Sequence, residues 1–314
     1  MSSDDVIVVT GTFSDDDRSR AAALAPQFTL EFTDHPADIG TGRVIAVAGS
    51  VSPADFGRLP ELRWIHSWAA GPDAAIFPEL VSSSVVLTSS AGNGGVPLAE
   101  HSMMLLLMLD REALLWVSAQ QEHRWGRHRH NELMGSTIGI YGLGNAGKDL
   151  ALKAQAFHMR VLGLRRNATV PVDGVDELYG PDQLKEFVGQ CDHVVITAAL
   201  TPETRNAFDA EVFAAMKPTA NLVCISRGGI VVDDDLLAAL RNGQLRAAGL
   251  DAHGIEPLPA DSPFWELPNV IVTPHNGATT AGTARRGVEI FLDNLARFAD
   301  GRPLHNVVDK ELGY

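Results

Sequence analysis

Cysteine, positive charge and long apolar runs are all scarce in this chain. The two cysteines, Cys191 and Cys224, both sit in apolar, strand-like runs. Buried free thiols in a reducing compartment are therefore favoured over a disulfide framework. Basic side chains number 25 against 39 acidic ones, a formal net charge of -14. Such a surface repels phosphate backbones and anionic lipid, so neither nucleic acid nor membrane is expected as a partner. It also repels anionic substrates at long range, and an anion site here needs concentrated local positive charge. The most apolar stretch, Met103 to Leu109, is far too short to span a bilayer. No basic region followed by an apolar one opens the chain. Asp4 and Asp5 lead straight into Val6-Ile7-Val8-Val9, so no signal peptide is read and a cytoplasmic protein is expected. Low-complexity linkers and solenoid-length repeats are missing as well.

What is present is globular in composition. The 314 residues are 45% hydrophobic and 20% charged, enough for two domains with cores of their own. Short apolar runs predict strands at 6–10, 44–48, 63–68 and 85–89, then at 137–141, 160–164, 193–198, 220–225, 246–250 and 270–273. Helix-like segments alternate with them, which predicts an α/β fold with parallel sheets. One helix is expected from Val96 to His123, since no glycine or proline follows Pro97 in that stretch. Another is expected over Val232–Asn242 with Gly243 closing it, and a last one from Thr280 to Asp300.

The second βα series carries a dinucleotide signal. The run Thr137–Tyr141 passes into Gly142-Leu143-Gly144-Asn145-Ala146-Gly147 and then an apolar-periodic helix. In that context the first glycine allows a tight turn, the second lets the backbone approach a pyrophosphate, and the third lets helix pack on strand. The phosphates would lie on the helix N-terminus, where unpaired N–H groups favour anions. At the end of the next strand NAD-binding units usually place an acid. Here Arg165-Arg166-Asn167 stands there, and no acid occurs before Asp173. Paired guanidinium groups suit a 2′-phosphate, so NADP(H) is favoured over NAD(H).

Three later stretches each follow a strand: Cys224-Ile-Ser-Arg227-Gly-Gly, Asp251-Ala-His-Gly-Ile-Glu256-Pro, and Thr273-Pro-His275. In open parallel sheets ligands bind at the C-terminal strand ends, so Arg227, Glu256 and His275 can converge on one site. Taken singly, each has a plainer reading as a surface ion-pair partner, a turn cap or a satisfied buried histidine. Together with "SPFW", "LPNV" and "LTPETRN" these motifs resemble the D-isomer-specific 2-hydroxyacid dehydrogenases, over Ala99-Glu100-His101 to about Gly277. The branch they resemble is that of the glyoxylate and hydroxypyruvate reductases.

The resemblance implies an oxidoreductase moving a hydride between NADP(H) and a 2-keto or D-2-hydroxy acid. It implies that Arg227 binds the substrate carboxylate, Glu256 polarises His275, and His275 handles the proton. It further implies that Ala70 and Gly71 offer main-chain amides to the carboxylate, and that Asp251 lies near the nicotinamide carboxamide. The candidate cofactor-binding residues are Gly142, Gly144, Asn145, Ala146, Gly147, Arg165, Arg166, Ile225 and Asp251. The architecture it implies is two doubly wound, Rossmann-like domains with an active-site cleft between them that closes on substrate. The substrate domain would be discontinuous, 1–98 plus 282–314, with the cofactor domain at 99–281 and a homodimer joined through the latter. His253 departs from the family's usual Asp-Val-Phe and is read as a pocket-rim residue. Trp68 suits a pocket wall and a core aromatic equally. His123, His128 and His130 lack the carboxylate or cysteine company of a metal site. Formate dehydrogenase resembles this family but places Gln where Glu256 stands. A dinucleotide-sensing corepressor or interaction module is the alternative from another class, disfavoured by the intact Arg–Glu–His set.

Overall fold

The structure is a computed structural model that describes residues 5–33 and 43–313. It divides into two compact units, Met1–Asn93 with Thr280–Tyr314, and Gly94–Thr279. The first break falls ahead of a helix that begins at Gly95, rather than inside it at 98. A continuous helix is a poor place for one core to end and another to begin.

In the first unit β1 (Asp5–Thr10), α1 (Asp15–Leu24), β2 (Thr29–Thr33), β3 (Arg43–Ala48), α2 (Pro53–Phe56), β4 (Trp64–Ser67), α3 (Pro78–Val81) and β5 (Val86–Ser89) follow in turn. The strands form one parallel sheet ordered β2-β1-β3-β4-β5. The second unit opens with α4 (Gly95–Asp110) and α5 (Ala113–Gln121). Then come β6 (Thr137–Tyr141), α6 (Asn145–Ala156), β7 (Arg160–Leu164), β8 (Glu177–Tyr179) and α7 (Leu184–Gln190). The series ends with β9 (His193–Ile196), α8 (Ala210–Ala215), β10 (Asn221–Cys224), α9 (Asp233–Arg241), β11 (Ala247–Leu250) and β12 (Val270–Val272). Its sheet, β12-β11-β10-β9-β6-β7-β8, is also wholly parallel. Both orders reverse direction once, at β1/β3 and at β6/β9, as doubly wound sheets do. The chain finally returns to the first unit through α10 (Ala281–Ala299), whose Phe291, Leu292 and Leu295 pack on Ile7, Ile45 and Trp64.

The large sheet is covered on both faces, which is why its strands read as unbroken apolar runs. Val194, Ile196, Leu222 and Cys224 face α7, α8 and α9, while Val195, Val223 and Ile225 face α4 and α6. The two strands without an apolar run, β2 and β8, lie at sheet edges and so escape the sequence pattern. Both cysteines are buried and free, and burial pushes each thiol up to about 12. No helix among the described residues is long and apolar enough to cross a membrane.

The single helix expected from Val96 to His123 is in fact α4 and α5, broken where Glu112 takes a left-handed φ of 50°. The cause is tertiary. Asp110, at the last turn of α4, is buried and accepts from Asn221 Nδ2 at 2.9 Å and from Arg246. His193 stands 3.5 Å from its other oxygen. A buried carboxylate must keep such partners, so the end of α4 is pinned to the starts of β9, β10 and β11. A straight continuation is given up without any glycine to announce it.

Candidate active site

The first strand of the large sheet delivers the glycine run. Gly142 has φ 101°, and a Cβ there would strike the main chain of Ala198. A Cβ at Gly147 would overlap the carbonyl of Gly142, so close helix-to-strand packing requires glycine. Gly144 differs from both. It caps α6, makes no side-chain cap, and a Cβ there would meet nothing within 4 Å. The uncapped first turn of a twelve-residue helix therefore faces open space, with Asn145 and Ala146 next in line. These features fit a dinucleotide pyrophosphate. Arg165 and Arg166 follow β7; Arg165 is half-buried and Arg166 exposed, 3.9 Å from Glu203. Asn167 turns its side chain back to accept from the N–H and hydroxyl of Thr169, closing the loop beyond them. Ile225 contributes no accessible side chain, since it is 2% exposed and packs in the core.

Arg227, Glu256 and His275 all leave the C-terminal ends of adjacent strands, β10, β11 and β12. The structure brings Glu256 and His275 together: His275 Nδ1 lies 2.8 Å from Glu256 Oε2. A carboxylate accepts only, so Nδ1 carries the hydrogen and Nε2 is the outward-facing nitrogen. The other oxygen, Oε1, accepts from the main-chain N–H of His253 at 2.9 Å. Burial pushes the Glu256 carboxyl up, but the His253 N–H and His275 outweigh it and hold it below the usual carboxylate range. Arg227 is half-buried and bends back to donate to the carbonyl of Ser226 at 2.9 Å.

Comparison with known proteins places this geometry. Residues 103–277 match the sequence profile described as D-isomer specific 2-hydroxyacid dehydrogenase, NAD binding domain. Glyoxylate/hydroxypyruvate reductase A of Serratia proteamaculans is 32% identical over 259 residues, covering 81% of this chain and 82% of the relative. The chain belongs to the D-isomer-specific 2-hydroxyacid dehydrogenase family. Solved structures agree. A family member from Aeromonas salmonicida superposes with a TM-score of 0.86 at 31% identity, covering 98% of this chain and 100% of that one. The NADPH-dependent glyoxylate/hydroxypyruvate reductase of Sinorhizobium meliloti, solved with NADP and sulfate, gives 0.81 at 31% identity, covering 99% of each.

Within this dehydrogenase the turn that carries His275 is held from beneath by Asp251. That side chain is fully buried. Its Oδ1 accepts from the Thr273 hydroxyl at 2.7 Å and the Asn276 N–H at 3.0 Å, and its Oδ2 from the Gly277 N–H at 3.0 Å. His101 Nε2 adds a contact at 3.4 Å and also meets the Thr273 hydroxyl at 3.0 Å. Asp251 thus clasps the residues on both sides of His275, whose φ of 49° places it in the left-handed region. His101 was legible only as one residue of a motif, because its partners lie some 150 or more residues away, as the ~170-residue separation from Thr273 illustrates.

Packing places the remaining aromatic side chains. Trp68 is half-buried and packs against the core of the first unit, its ring 5.6 Å from Phe13 and 5.3 Å from Phe291, with Nε1 donating to Thr10 O. Ala70 and Gly71 follow it in the bend after β4, Ala70 exposed and Gly71 half-buried. His253 is not a rim residue: it is 8% exposed. His128 and His130 instead group with Trp116. Among the described residues no cluster of three or more metal-ligating side chains is found.

Burial pushes the Asp251 carboxyl up, but hydrogen bonds from His101, Thr273 and the Gly277 N–H outweigh this and hold it well below the usual range. A carboxylate with a lowered folded-state pKa contributes stability above its unfolded value, and that contribution is lost as pH falls. Asp251→Asn should therefore cost about 2–3 kcal/mol at pH 7 through its charge-assisted hydrogen bonds. The gap to wild type should narrow by about 1 kcal/mol between pH 5 and pH 3. Urea unfolding across that range checks it, and a gap independent of pH would count against the buried carboxylate.

Proposed function

We propose that this dehydrogenase reduces a small 2-keto acid, of the glyoxylate or hydroxypyruvate type, to the D-2-hydroxy acid with NADPH. The observation that carries the reading is the 2.8 Å contact between His275 Nδ1 and Glu256 Oε2 at the C-terminal edge of a nucleotide-binding sheet. Gly142, Gly144, Asn145, Ala146 and Gly147 would hold the pyrophosphate, and Arg165 and Arg166 the 2′-phosphate. Bound there, the reduced nicotinamide supplies a hydride. Arg227 grips the substrate carboxylate with its planar fork and fixes the orientation of the keto carbon. Negative charge developing on the keto oxygen is met by the Nε2–H of His275, which gives its proton to form the hydroxyl. Glu256, ionised well into the acid range, favours the imidazolium that this step consumes. In the reverse direction the neutral ring takes the proton back.

The exchanges His275→Ala, Arg227→Ala and Glu256→Gln separate these duties. The first should lower kcat by about 100-fold or more, the contribution of a positioned general acid. Arg227→Ala should raise KM and lower kcat together, because the carboxylate is both bound and oriented through it. Glu256→Gln should move the pH optimum of reduction to the acid side, since less imidazolium is favoured at a given pH. Steady-state kinetics with glyoxylate and hydroxypyruvate measure all three. Near-wild-type turnover in His275→Ala contradicts the assignment, and activity on no 2-keto acid would favour a dinucleotide-sensing module.

The choice of NADPH rests on Arg165 and Arg166 standing where an acid would otherwise meet the ribose. Expected is a kcat/KM at least about 10-fold higher with NADPH than NADH. Arg165→Gln with Arg166→Gln should remove most of it, as each charge-assisted hydrogen bond contributes about 1.5–3 kcal/mol. An unchanged ratio in the double variant overturns the assignment.

The exposed apolar run of α5 is unusual for a chain this charged. Leu115 and Val117 are 51% and 50% exposed, beside exposed Leu114 and Trp116. Exposed apolar surface of this kind marks association sites, and a homodimer through α5 is proposed. Light scattering should give twice the chain mass, reduced to one by Leu115→Asp with Val117→Asp; a wild-type monomer disproves it.

A further inference from the structure

His253 lies outside the Arg–Glu–His set, yet all three segments that carry the set meet on it. Its main-chain N–H donates to Glu256 Oε1 at 2.9 Å. Its ring Nε2 lies 2.9 Å from the Thr273 carbonyl, and a carbonyl can only accept, so Nε2 carries a hydrogen. That same carbonyl accepts the N–H of His275 at 3.1 Å, closing the tight turn over Pro274 that sets His275 at φ 49°. On the third side is Gly228, next to Arg227. A Cβ at 228 would overlap the main chain of His253 and of Gly254, so the Arg227 segment is seated directly against it. The ring is shielded, with the whole residue 8% exposed, and a buried donor of this kind is costly to leave unpaired.

We infer that His253 is a further positioning residue of this active site, setting Glu256 through its main chain and the His275 turn through its ring. The inference rests on the dehydrogenase mechanism proposed above. Its ring does not touch the reacting atoms; it fixes the carbonyl that the His275 turn closes upon. The bond survives in either charge state of the ring, because Nε2–H is the donor in both. The carboxylates near this ring include half-buried Asp233, against which Gly254 is packed, and exposed Glu256 itself.

His253→Phe keeps the main-chain N–H and a planar ring but removes the donor. It should lower kcat for 2-keto acid reduction by about 5- to 10-fold, the effect of one hydrogen bond on the transition state. KM for the keto acid and for NADPH should stay within about 2-fold, because neither binding group has moved. His253→Gln, whose amide can still donate, should recover most of the lost kcat. In the wild type, nitrogen-15 NMR of labelled histidines should show His253 with Nε2–H and His275 with Nδ1–H. A kcat for His253→Phe equal to wild type overturns the inference, as does a His253 ring protonated on Nδ1 alone. Should His253→Phe fail to fold, the wild-type spectrum and the kinetics of His253→Gln decide. A wild type inactive on all 2-keto acids despite the expected histidine spectrum defeats the catalytic reading itself, and the positioning role with it.

Discussion

The buried carboxylate of Asp251 is the anchor on which the site depends. A non-glycine residue in the left-handed region costs about 1–2 kcal/mol, and His275 occupies that region. The turn is held there because Asp251 accepts from Thr273, Asn276 and Gly277, residues that bracket His275 in sequence. A neutral side chain could not accept from all of them at comparable strength. His101 supplies a further polar contact to the same carboxylate. The hydrogen bonds to this carboxylate therefore offset both the strain of the turn and the cost of burying the charge, and the imidazole emerges with Nδ1 toward Glu256.

Above this anchor the parallel sheet supplies the rest. Strands β10, β11 and β12 are neighbours in register, so the loops after them leave the same edge side by side. Glycine is required after two strands of this sheet, β6 and β10, for different reasons. At 142 the backbone turns through a positive φ, and at 228 it must lie against the His253 main chain. The opposite edge of the sheet carries the Asp110–Asn221–Arg246 cluster. Polar networks thus tie both ends of an otherwise apolar layer, and Arg227 and His275 lie within three residues of strand ends while Glu256 is held in the longer β11–β12 loop by the His253 N–H and His275.

Charge is distributed to match. A chain of formal charge -14 places Arg165, Arg166 and Arg227 after two strands of the sheet whose β6 leads into the uncapped start of α6. Fields from the wider surface are screened within about 10 Å in ordinary salt. Local guanidinium groups and helix N–H groups can therefore outweigh the net negative charge at that place.

Local sequence was sufficient wherever local physics decides. Parallel strands buried on both faces must be continuous apolar runs, so the doubly wound fold was legible from them. The glycine run after Tyr141 and the Arg227, Glu256 and His275 motifs were legible because strand ends and turns constrain residue type at fixed spacing. Edge strands β2 and β8 were not, since an edge need not be apolar. The break between α4 and α5 depends on Asp110 finding Asn221 and Arg246, over a hundred residues further along the chain. The duties of Asp251, His101 and His253 likewise depend on partners that only folding brings within hydrogen-bond reach. Sequence by itself determined which groups are available for the chemistry. Tertiary structure decided which of them hold the others in place, because a hydrogen bond is specified by distance and direction, and neither is written in the order of residues.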